Sequence, residues 1–105
     1  MLFLELPYRF EEIGCYKDDR GNPTFSTQNI DGGGTVDFHI SVAIELCYDA
    51  AVKNRHRYFG IQVSRSSRRS CWSGNSYDKH STSDECHNGL GGISANTVYQ
   101  VTGKL

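Results

Sequence analysis

The sequence predicts an α+β domain: one helix packed on a small antiparallel β-sheet, with long loops and disulfide staples. Three observations predict it. Apolar residues recur at helical spacing over residues 43–51. Two other stretches, 58–63 and 96–102, read as strands. Four cysteines, Cys15, Cys47, Cys71 and Cys86, are spread across a chain of only 105 residues. A chain this short is one domain, 1–105, and buries only roughly 60–65% of its unfolded surface. Crosslinks are the usual remedy for so small a core.

The elements follow in order. Residues 2–13 alternate loosely and include Phe3, Tyr8 and Phe10, which suits an N-terminal strand or arm. Lys17-Asp18-Asp19-Arg20-Gly21-Asn22-Pro23 reads as a polar turn. Residues 29–37 hold Gly32-Gly33-Gly34 and read as a flexible loop. Ala43, Leu46, Cys47, Ala50 and Ala51 then form one apolar stripe of a helix, with Ser41 as N-cap. Lys53, Arg55 and His56 lie at or past its C-terminal end, where positive charge suits the helix dipole. Cys47 is therefore expected to face the core. In 58–63, Phe59, Ile61 and Val63 share one face, and Tyr58, Gly60 and Gln62 the other. Residues 64–70 form a Ser/Arg loop, and Cys71-Trp72 starts a strand returning beside the first. Gly74-Asn75-Ser76 reads as a turn and 77–88 as polar loop. Residues 96–102 are a strand by β-branched and aromatic content.

Composition narrows the function. Apolar residues make up 37% and charged residues 22%, the balance of a globular chain. A net charge of −1 argues against a nucleic-acid binder. The chain has no apolar run of the ~18 residues a bilayer span needs. The cysteines are 32, 24 and 15 residues apart, without the close pairs of a zinc site, which favours disulfides. The opening Met1-Leu2-Phe3-Leu4-Glu5-Leu6-Pro7 does not read as a signal peptide. The expectation is a secreted, extracellular protein whose leader is absent from this chain. No N-glycosylation sequon occurs.

Four segments in order resemble a known family. Gly14-Cys15-Tyr16-Lys17-Asp18 opens, and Cys47 stands on the helix 11 residues before Tyr58-Phe59-Gly60-Ile61-Gln62. Cys71-Trp72-Ser73-Gly74-Asn75 follows, then Cys86, Gly91-Gly92 and Val98-Tyr99. Over residues 13–101 the chain is similar to the WSC domain (cell-wall integrity and stress-response component). It departs from that pattern: the family usually carries eight cysteines, and Ala51 and Ser73 stand where two are expected. They read as one lost disulfide, making this a reduced four-cysteine variant. The resemblance implies a WSC-like or apple/PAN-like fold with Cys47–Cys71 and Cys15–Cys86 paired, one of three possible connectivities. Reduction is expected to unfold the chain.

The resemblance also implies a non-catalytic, carbohydrate-binding module, a lectin. The alternative is a protein–protein or extracellular-matrix module without sugar specificity. Ligand-binding candidates are Trp72, whose ring could stack on a sugar, and the loop residues Asn75, Tyr77, Asp78, His80, Asp84, His87 and Asn88. A core role for Trp72 stands equally beside this reading; Tyr16, Tyr58 and Tyr99 read as structural. Arg65, Arg68 and Arg69 are candidates for an acidic glycan or for a solvated hairpin tip. Enzymatic activity is not expected: bridged cysteines leave no nucleophilic thiol, no G-x-S-x-G occurs, and the carboxylate pairs Glu11/Glu12, Asp18/Asp19 and Asp84/Glu85 read as surface charge. No cofactor or metal is expected, although the 17–22 turn leaves calcium as a minor alternative; it lacks the EF-hand spacing. Expected partners are glycans or glycoproteins, not nucleic acid, and no membrane span is expected. A single site should bind weakly, so a homo-oligomer or multidomain context would supply avidity.

Overall fold

The computed structural model describes residues 9–19, 21–25, 27–28, 35–36, 40–63 and 69–102. In chain order the elements are β1 (Phe10–Lys17), β2 (Thr27–Gln28), β3 (Thr35–Val36), α1 (Ile40–Lys53), β4 (Tyr58–Val63), β5 (Arg69–Gly74) and β6 (Ala95–Val101). All pairings are antiparallel, in the order β1-β6-β4-β5-β2, with β3 also against β5. This is an α+β fold: one helix on a sheet of four long and two short strands.

Several boundaries differ from the sequence reading. β1 runs through Gly14, Cys15, Tyr16 and Lys17 because β6 offers a pairing edge along that whole length. Residues 1–8 lie outside the described part. β3 falls inside the expected 29–37 loop, where Thr35 and Val36 pair with Ser70 and Arg69. That pairing starts β5 at Arg69, earlier than expected. The helix begins at Ile40, so Ser41 lies within its first turn and is not the N-cap.

The core lies between α1 and one sheet face. The helix contributes Cys47, Tyr48 and Ala51; the sheet contributes Phe59, Ile61, Cys71 and Tyr99, and Leu90 closes one end. Phe59 and Tyr99 stack with ring centroids 5.0 Å apart, and Phe10 meets both edge-on. Cys47 bonds to Cys71, both with no exposed surface, and pins helix to sheet. Cys15 bonds to Cys86 and ties β1 to the segment before β6. The helix ends in two backbone bonds, Arg55 N–H to the Val52 carbonyl and His56 N–H to the Ala51 carbonyl. Arg55 takes φ 60° between them, the arrangement of a Schellman cap.

One irregularity sets which way β1 faces. Glu12 pairs with Tyr99 and Gly14 with Val98, so Ile13 is an extra residue, a β-bulge. After it the alternation restarts. Cys15 joins the helix side, as Phe10 does, and Tyr16 turns to the opposite face.

That second face is roofed in part by the 18–25 segment. Phe25, only 1% exposed, lies on the strand glycines: a Cβ on Gly60 would stand 2.6 Å from its ring, and one on Gly74 3.2 Å. The Asp18 carboxylate holds this segment down, accepting the Thr24 backbone N–H at 2.8 Å and the Gln62 side-chain amide.

Candidate functional site

β1, β4 and the 75–80 loop bring three tyrosines together on the helix-free face. Tyr58 points there by strand alternation, and Tyr16 by the bulge. Tyr77 reaches over from the loop. Its ring centroid is 4.8 Å from that of Tyr58 and 5.3 Å from that of Tyr16, at 53° and 74° between planes. All three are half-buried. The Tyr77 phenol is pushed above its ordinary value, chiefly by the neighbouring Tyr16 phenol, then by desolvation, Asp78 and Tyr58, and a hydrogen bond with Tyr16. It therefore stays a neutral hydrogen-bonding group at physiological pH.

The loop beside these rings is held by polar contacts. Asn75 Oδ1 accepts the Arg57 backbone N–H at 3.0 Å. Lys79 Nζ donates to Asn22 Oδ1 and the Pro23 carbonyl, and His80 Nε2 donates to the Asn22 carbonyl at 2.8 Å. Asp78 is exposed beside Tyr77. Four of the sequence candidates, Asn75, Tyr77, Asp78 and His80, thus belong to one short loop at this face.

The remaining candidates are placed elsewhere. Trp72 shares the helix-free face, opposite Gly60 in register and diagonal to Tyr58. It is half-buried, and its indole N–H donates to Ser70 Oγ at 3.2 Å. Phe25 covers Gly60 and Gly74 beside it. Asp84, His87 and Asn88 are exposed, on the segment tied to β1 by Cys86 and by the Ser83 N–H on the Cys15 carbonyl. The same segment also lies against β4: the Val63 N–H donates to the Gly92 carbonyl, and the His87 N–H to the Gly91 carbonyl. Arg65 and Arg68 lie outside the described residues; Arg69 opens β5, opposite Val63.

The alternative chemistries meet specific geometry. The Asp18 carboxylate is occupied by Thr24 and Gln62, and Asp19 Oδ1 accepts the Gly21 N–H at 2.9 Å. Among the described residues no group of three His, Cys, Asp or Glu lies together to hold a metal ion. All four cysteines are bridged, so no free thiol remains. His56 Nδ1 lies 2.7 Å from Ser73 Oγ, the spacing of a base and a nucleophile. Ser73 has no exposed surface, so no substrate can reach it, and the contact braces the helix exit against β5.

Tyr16 and Tyr58 are the members of the cluster that sequence reasoning assigned to structure. The signal for Tyr58 was its alternation with Gly60 and Gln62 away from the core. Tyr16 had no such signal, because its direction depends on the bulge. No helix among the described residues is long and apolar enough to cross a membrane. No family model, curated protein or solved structure matches the chain.

Proposed function

We propose that this domain is an extracellular, non-catalytic recognition module of lectin type, WSC-like or apple/PAN-like, that binds glycans beside the 75–80 loop. The observation that carries this reading is the half-buried Tyr16, Tyr58 and Tyr77 cluster beside exposed Asn75 and Asp78. Aromatic rings offer apolar faces for a pyranose ring, and the neighbouring amide, carboxylate and phenols suit its hydroxyls. The loop is anchored before it binds, which lowers the ordering cost of a shallow site. Two disulfides are compatible with an oxidising, extracellular setting.

The test is a glycan array probed with a multimerised form, because a single shallow site binds weakly. Tyr77→Ala should abolish array binding while leaving the far-UV spectrum intact, and Trp72→Ala should weaken it less. A blank array overturns the glycan reading. Capture of a glycoprotein that free oligosaccharides fail to elute also overturns it, in favour of protein recognition.

A further inference from the structure

Among the described residues the aromatic rings gather in different places. Phe25 and Phe59 are fully buried, and the buried rings of Tyr48 and Tyr99 pack against Phe10 and Phe59. Tyr77 instead contacts Tyr16 and Tyr58 at the partly exposed face. Phenols in contact at a surface are the groups that one-electron oxidants couple. The usual sulfur competitors are few. All four cysteines are already disulfides, and the single methionine is Met1.

We propose that Tyr77 and Tyr58 form an oxidative crosslinking site that closes to an intramolecular dityrosine. Their centroids, 4.8 Å apart with planes tilted by 53°, make them the closest of the tyrosine pairs described here. The co-reactant is hydrogen peroxide, delivered through a haem peroxidase. Each phenol loses its O–H hydrogen atom, giving two tyrosyl radicals. These join through one new carbon–carbon bond between ring positions ortho to the oxygens. The hydrogen on each joined carbon then moves to its oxygen, restoring both phenols. Overall the two tyrosines lose two electrons and two protons, and one peroxide is reduced to two waters. The product staples the 75–80 loop to β4, where only side-chain and backbone contacts hold it otherwise. The site is independent of any glycan affinity, and its test does not read binding.

The disulfide-bonded protein, dilute enough to disfavour dimers, is treated with hydrogen peroxide and a haem peroxidase. The expected product is a monomer lighter by two hydrogens, with dityrosine fluorescence and a peptide joining residues 58 and 77. Tyr77→Phe and Tyr58→Phe keep the ring packing and should each abolish that peptide. Tyr99→Phe, buried on the other face, should leave its yield unchanged. Crosslinks that form only between molecules, that map to other tyrosines, or that give way to Trp72 oxidation would overturn the assignment. So would persistence of the product in Tyr77→Phe.

Discussion

Arg55 sits at φ 60°, a left-handed conformation that costs a residue with a Cβ about 1–2 kcal/mol. The position is exposed and serves the helix cap through its backbone N–H. Arg55→Gly should therefore stabilise the domain by about 1 kcal/mol, seen as a higher urea midpoint with an unchanged slope. Asn96 presents the opposite situation. It has no exposed surface, it stands close to Phe25 over Gly60, and neither amide atom has a hydrogen-bond partner among the described residues. An unsatisfied buried polar group costs about 1–3 kcal/mol. Asn96→Leu, similar in shape and apolar, should raise the melting temperature; a lower one would show that the amide is satisfied in solution. Neither residue is conspicuous in the sequence. A left-handed Arg and an orphaned Asn are products of where the surrounding chain runs.

At the scale of elements, the pairing of α1 with β5 invites a direct test. The helix and β5 run in the same sense: Cys47 meets Cys71, and farther along His56 meets Ser73. Ala51 and Ser73 lie one helical turn and two strand residues beyond the disulfide, and both are fully buried. Ala51→Cys with Ser73→Cys should close a third disulfide. The chain-entropy model gives about 3 kcal/mol for such a loop, less about 1 kcal/mol for the His56–Ser73 hydrogen bond. The double variant should lose two hydrogens in intact mass, take up no alkylating reagent, and unfold at higher denaturant. Two reactive thiols in the folded protein would show that helix and strand diverge after the first bridge. Element identity was legible here. The stripe through Cys47 and Ala51 marks the helix, and the alternation of Phe59, Ile61 and Val63 marks β4. The short β2 and β3 were not, because two-residue strands carry no period; they exist only because β5 supplies an edge.

For the whole molecule, Tyr99 links the core to the loop ahead of β6. Its hydroxyl donates to the Gly89 carbonyl at 2.7 Å, and its ring stacks on Phe59. Burial, with a smaller contribution from Glu12, pushes its phenol well above the ordinary value of about 10. A raised folded-state value means the native protein holds that proton more tightly than the unfolded chain. The stability it supplies is complete below about pH 10 and is lost as pH rises above that. Tyr77 is shifted in the same direction. Melting temperatures should therefore hold to about pH 9 and then fall. Tyr99→Phe should melt lower at neutral pH, by about 1 kcal/mol for the lost hydrogen bond, yet show a shallower alkaline decline. Equal alkaline slopes in the two proteins would place the titrating group elsewhere.

The amino-acid sequence alone determined the class of this molecule: one amphipathic helix, alternating strands, and four cysteines that crosslink a small core. These are local properties, set by side-chain periodicity and by composition. Only the tertiary structure decided which residues meet at the helix-free face. The single extra residue at Ile13 reverses the side on which everything after it in β1 appears, sending Cys15 to the helix side of the sheet, where it bonds Cys86, and Tyr16 to Tyr77. A bulge is a property of pairing between two strands, so it leaves no period in the chain to be read.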